Sequence, residues 1–141
     1  MRRYTARSLR AGTVMAAAAV IVAGGLLATS PLPRARETAD LVHAAVEARP
    51  DLEVWDELAP GGSVEDLVIR IARHEGAGAI LVVGHEPLLS TLASRIIAGD
   101  EQVRISVANV GLAKVRRIAF INGITGELHW LLTPRQIRSM R

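Results

Sequence analysis

Hydrophobic positions recur along this chain at two spacings, and the switches between them mark its elements. No charged residue occurs from Ala11 to Pro33, and Ala11–Ala28 is nearly all Ala, Val, Ile, Leu and Gly. Within that run, Val14–Ala23 fits a buried helix stopped by Gly24-Gly25, and Leu26–Thr29 a short buried strand. Ser30-Pro31 then predicts a helix start, because Ser suits the N-cap and Pro the first helical position, where its missing N–H costs nothing. Ala35, Ala39, Val42 and Val46 recur at helical spacing up to Arg49, and Pro50 ends the helix. Leu52–Trp55 reads as a short strand and Leu58–Gly62 as a loop. Ser63-Val64-Glu65-Asp66 resembles a capping box, with Asp where Glu is preferred. It opens a helix bearing Val64, Leu67, Val68 and Ile71 on one face, which Gly76 and Gly78 break.

The second half begins with Ala79-Ile80-Leu81-Val82-Val83, an unbroken apolar run that predicts a fully buried central strand. Gly84-His85-Glu86 follows, and Pro87 starts a helix from Leu88 to about Ala98. Val103–Val107 and Leu112–Ile121 read as strands; Asn122-Gly123 marks a turn, and Gly126–Leu132 pairs back as a last strand. Strands alternating with helices predict an α/β fold with a mostly parallel sheet and helices on both faces.

Composition narrows the class. The 141 residues suffice for one domain with a real core, and 50% hydrophobic with 22% charged residues argues against disorder. Aromatics make up only 3% of the chain (Tyr4, Trp55, Phe120, Trp130), too few for a base-stacking surface. The absence of cysteine removes disulfides, thiol chemistry and Cys-ligated metals. The net charge of +3 is unevenly placed: residues 1–10 carry four Arg and no acid, residues 11–103 sum to −7, and residues 104–141 to +6. The chain thus divides into a basic arm, 1–10, and a single domain, 11–141. Without the arm the body is near neutral, which gives little support to nucleic-acid binding. With the arm, the uncharged run also fits a secretory signal or membrane anchor, Ala28-Thr29-Ser30 supplying small residues at a cleavage point. Composition leaves both readings of residues 11–29 standing.

Candidate chemistry falls at two places with one architecture, a buried strand running straight into a Pro-started helix. They are Leu26–Thr29 into Ser30-Pro31, and Ala79–Val83 into Gly84-His85-Glu86-Pro87. In open α/β sheets ligands bind beyond the carboxyl ends of the strands, where helix N-termini favour anions. Arg34 lies in the first turn of one such helix and His85 at the mouth of the other. A guanidinium and an imidazole converging there suit a phosphate. His43 and His74 fall on helix surfaces, and His129 alternates with Leu128 and Trp130 on a strand face; all three read as structural. Asp56 and Glu57, before the Pro-Gly-Gly loop, read as solvated carboxylates or as an acid near the site. No His and acidic pair has metal-ligand spacing, and GxGxxG, P-loop and GxSxG motifs are all missing.

Ser30-Pro31-Leu32-Pro33-Arg34-Ala35-Arg36-Glu37-Thr38-Ala39 resembles the S-P-x-x-R-A-x-x-T-A segment of the histidine phosphatase superfamily, and Val82-Val83-Gly84-His85-Glu86-Pro87 resembles its second histidine motif. Leu58–Gly62 and Trp130–Pro134 are similar to segments of the SixA-type phosphohistidine phosphatases. The match runs in family order from about Gly24 to Thr133. The resemblance implies a three-layer α/β/α domain that removes phosphate from phosphohistidine proteins without metal or other cofactor. In that family the histidine of an R-H-G motif attacks phosphorus and becomes a phosphohistidine, while a second histidine and two arginines hold the phosphoryl oxygens. The positions carried over are Arg34 and His85.

One motif departs. Where the family reads Y-L-x-R-H-G, this chain reads Tyr4-Thr5-Ala6-Arg7-Ser8-Leu9, so Arg7 stands for the motif's arginine and Ser8 falls where the nucleophile belongs. No histidine precedes Ser30, and a serine alkoxide is a poor leaving group for the second half-reaction. The chain accordingly reads as truncated, miscalled at its start or degenerate, with the nucleophile unidentified and the first strand missing. The expectation is a cytoplasmic, phosphatase-like protein that binds phosphate and a phosphorylated protein and leans towards an enzyme by family. The resemblance also weighs against the targeting reading, because Val14–Thr29 falls where the family has a helix and strand. Two alternatives remain: a non-catalytic phosphoprotein-binding pseudoenzyme, and an exported or anchored protein with residues 1–30 as targeting segment.

Overall fold

The computed structural model describes residues 25–47, 49–107 and 111–140. The basic arm with Arg7 and Ser8, and the predicted helix Val14–Ala23, lie outside the described residues. The first described element, β1 (Leu26–Thr29), is the middle of a parallel sheet that has three strands among the described residues, flanked by β2 (Asp51–Val54) and β3 (Ile80–Val83). Both pairings run in phase, so that Thr29 lies opposite Val54 on one side and Val83 on the other. All three carboxyl ends therefore open at one level.

Side chains of a strand alternate between faces, and β1 uses both. Leu27 packs with Ala39, Val42 and Val46, the helical-spacing residues that bury α1 (Pro33–Ala45) on one face of the sheet. Leu26 and Ala28 point the other way, into a larger core with Leu67 and Ile71 of α2 (Val64–Ala72) and Leu92 and Ile96 of α3 (Leu88–Ala98). This is a three-layer α/β/α arrangement. Each fully buried leucine stabilises it by about 1.5–3 kcal/mol.

Several boundaries differ from the sequence expectation. The start of α1 comes later than Ser30-Pro31: Leu32 is its N-cap and Pro33 lies in its first turn. Ser30 Oγ accepts the Leu32 N–H at 3.2 Å, forming a turn that precedes the helix instead of capping it. The apolar run at β3 predicted a central strand. Among the described residues β3 pairs with β1 alone, and its side chains are only half-buried. Val103–Val107 forms no strand, because its donors are taken by serines of α3: Ser94 Oγ accepts the Ile105 N–H and Ser90 Oγ the Val107 N–H, each at 2.8 Å.

The remaining strands, β4 (Leu112–Ala119) and β5 (Thr125–Leu132), form a separate antiparallel hairpin. Its turn includes Asn122 and Gly123, both at positive φ, as their residue types lead one to expect. Gly126 lets α3 approach: a Cβ there would meet Val115 Cγ1 at 2.7 Å and Ile96 Cγ2 at 2.8 Å. A short helix the periodicity did not predict, α4 (Pro134–Ser139), follows with a full capping box between Thr133 and Gln136. No helix among the described residues is long and apolar enough to cross a membrane.

Candidate active site at the carboxyl end of the parallel sheet

The in-phase register brings two loop starts together. The Ser30 N–H donates to the Val83 carbonyl at 3.0 Å, continuing the β1–β3 ladder one residue beyond the strands. Ser30 is thereby placed beside the loop that leaves β3. His85 stands in that loop, and its Nε2 lies 2.8 Å from Ser30 Oγ. Gly84 before it packs against Leu58 and Leu89, whose Cδ2 atoms would each lie 3.4 Å from a Cβ there, an ordinary contact. Ser30 is fully buried while His85 keeps part of its surface exposed. An imidazole is thus anchored at one ring nitrogen while part of its surface stays open.

Arg34 sits in the first turn of α1, four residues beyond Ser30, with its side chain exposed. Among the described residues it forms no ion pair, and no hydrogen bond joins it to His85. The two carried-over positions therefore flank the same sheet end, from the loop after β1 and the loop after β3, without touching. A cation with no carboxylate partner at a helix N-terminus is suited to an incoming anion.

On its other side His85 borders an open cleft of about 370 Å³, walled by the Pro60–Ser63 loop and the start of α3. The cleft carries Glu65, Glu86 and Glu101. Arg95 pairs with Glu65 at 2.9 Å and with Glu101 at 3.1 Å, and Glu86 accepts the Ser90 hydroxyl. Three carboxylates lie on the cleft side, so an anion at His85 is favoured towards the first turn of α1, where Arg34 has no ion pair among the described residues. A larger cavity of about 720 Å³, chiefly apolar, lies between β3, α3 and β4 and includes none of Ser30, Arg34 or His85.

The other polar candidates are structural. His43 Nε2 lies 3.0 Å from the Pro50 carbonyl and ties the end of α1 to the entry of β2. His129 is exposed on β5. His74 belongs to a cluster around Trp55: its Nε2 is 3.4 Å from Glu53, its ring 5.2 Å from the indole, and Arg70 lies 5.2 Å over that indole. The Trp55 indole N–H, which donates to Glu53 Oε2 at 2.6 Å, holds the Glu53 carboxyl below the ordinary carboxylate range; His74 and Arg70 act in the same direction. Asp56 and Glu57 occupy a short 3-10 turn, Glu57 lying 4.0 Å from Arg70, and neither lines the cleft. Among the described residues no group of acidic and histidine side chains is placed to hold a metal ion. Sequence reasoning missed Ser30 as a site residue, having spent it on a helix cap. No local signal pointed to it, because the contact with His85 comes through the β1–β3 register.

The arrangement is the histidine phosphatase fold. The chain superposes on the protein histidine phosphatase SixA, in its complex with tungstate, with a TM-score of 0.66 and 24% identity over 79% of this chain and 69% of that one. It also superposes on a putative alpha-ribazole-5'-P phosphatase from Escherichia coli, with a TM-score of 0.62 and 18% identity over 92% of this chain and 83% of the other. At the level of sequence no family model matches. The chain belongs to the same family as an uncharacterized protein of Picosynechococcus sp., to which it is 35% identical over 111 residues, 76% of this chain and 67% of that protein.

Proposed function

We propose that this protein is a SixA-like, phosphohistidine phosphatase-like protein that takes the phosphoryl group of a phosphorylated protein at the carboxyl end of β1 and β3. The observation that carries this reading is the meeting of His85 with Ser30 at the sheet end from which Arg34 also projects. His85 donates a hydrogen bond to one phosphoryl oxygen and Arg34 neutralises others, so charge is spread over the group without a metal. The likeness to SixA bound to tungstate, a phosphate-like oxyanion, supports the substrate class. We place its work in the cytoplasm, on phosphoproteins, with no nucleic acid or membrane partner. Arg7 would be a second arginine for the phosphoryl group, on the resemblance of its motif alone.

Isothermal titration with phosphate, vanadate or tungstate tests the reading. Binding is expected, and Arg34→Ala and His85→Ala should each weaken it about tenfold, the scale of one charge-assisted hydrogen bond. Absent binding, or binding unchanged in both variants, overturns it.

A second reading has its own support. Among the described residues His85 is the only histidine at this sheet end, which favours a phosphoprotein-binding module that does not turn over. Very low hydrolysis of a phosphohistidine peptide is expected from it. Robust turnover through a phosphoenzyme would instead mean a nucleophile elsewhere in the protein.

A further inference from the structure

We propose that Ser30 is a positioning residue that sets which nitrogen of His85 faces the ligand, an inference resting on the phosphoryl-binding reading of His85. A serine hydroxyl has one proton to donate and two lone pairs to accept with. Ser30 Oγ already accepts the Leu32 N–H at 3.2 Å, so one lone pair is used. The side chain is fully buried, and a buried hydroxyl proton needs an acceptor. Among the described residues the one acceptor within reach is His85 Nε2, at 2.8 Å. The hydroxyl therefore donates to Nε2. In the neutral imidazole the remaining proton is then on Nδ1, at the ring edge directed away from Ser30.

That edge is the part of His85 left to contact a ligand. With the opposite tautomer, Nδ1 would present a lone pair to the phosphoryl oxygens and repel them. Ser30 thus turns His85 into a fixed donor, much as a carboxylate or carbonyl behind a functional histidine selects its tautomer elsewhere. The chain positions this hydroxyl with its own backbone: the Ser30 N–H is tied to Val83 at 3.0 Å, so the spacing between the serine and the loop bearing His85 follows from the β1–β3 register.

Long-range proton–nitrogen correlation spectra of the ¹⁵N-labelled full chain, recorded above the imidazole titration, read the tautomer directly. The wild type is expected to carry its His85 proton on Nδ1, with Nε2 unprotonated. Ser30→Ala should give a mixture of tautomers and bind tungstate about five- to tenfold more weakly, the loss of one neutral hydrogen bond. Ser30→Thr, which keeps the hydroxyl, should restore the tautomer. A wild-type ring protonated on Nε2, or a tautomer and tungstate affinity both unchanged in Ser30→Ala, overturns the proposal. Should Ser30→Ala not fold, the wild-type and Ser30→Thr spectra decide alone. A wild type that binds no tungstate would defeat the phosphoryl-binding reading, and the tautomer would still report on Ser30.

Discussion

Gly62 shows how much one residue can carry in the wall beside His85. A Cβ at this position would lie 2.2 Å from the Glu57 carbonyl oxygen and 3.0 Å from that of Ala59, backbone atoms that cannot swing aside. Gly62→Ala should cost about 1–3 kcal/mol in urea unfolding, the range for forced overpacking, and should displace the Pro60–Ser63 wall of the cleft. Gly76→Ala, where a Cβ meets nothing within 4 Å, is the control and should be nearly neutral. Glu53 gives a second residue-scale expectation. Its carboxyl is held low by Trp55, so the folded state favours the ionised form. That stabilisation is present above the ordinary carboxylate range and is lost as pH falls through the lowered folded value. Glu53→Gln should therefore reduce stability at pH 7, and the gap from wild type should close on acidification. The gap should stay under about 1 kcal/mol, because 37% of the Glu53 side chain is exposed to screening. A gap that persists below the titration would assign the effect to packing instead.

At the scale of elements, α3 holds more of the molecule than its length suggests. Its Ser94 is buried, donates to the Ser90 carbonyl at 2.9 Å and accepts the Ile105 N–H. Ser94→Ala leaves that N–H without its partner at a cost of about 1–3 kcal/mol, and amide exchange at Ile105 should speed up relative to β1. The same segment explains where periodicity failed. Val103–Val107 alternates like a strand, yet its donors bond to serine hydroxyls on a helix, a long-range choice that spacing along the chain does not encode. Helices α1 and α2 were legible because each buries a stripe at helical spacing, and α3 because Pro87 marks its start; the ends were less so, since α1 stops at Ala45, short of Pro50, and α2 at Ala72, short of Gly76. Strand order was not legible. The short buried run of β1 and the apolar run in β3 look alike as sequence, and only the pairing makes β1 the middle strand among the described residues.

At the largest scale, the described residues form a parallel sheet whose strands end together, with helices on both faces and a hairpin beside it. The α/β class was legible in the alternation of strands with helices, and the placement of Arg34 and His85 just beyond two strand ends in the short path from each strand into its helix. The Ser30–His85 contact was not, since it joins residues 55 apart through the β1–β3 register. Charge is also organised at this scale: carboxylates paired with Arg95 line the cleft beside α2 and α3, and Arg34, with no ion pair among the described residues, stands in the first turn of α1. The central claim is that an oxyanion binds between His85 and Arg34. Tungstate titration of the ¹⁵N-labelled protein, followed by amide and imidazole shifts, tests it most directly. Saturable shifts are expected at Ser30, Arg34 and His85, with His74 and Glu53 in the Trp55 cluster unmoved. Saturable shifts centred elsewhere, or none at all, would contradict it.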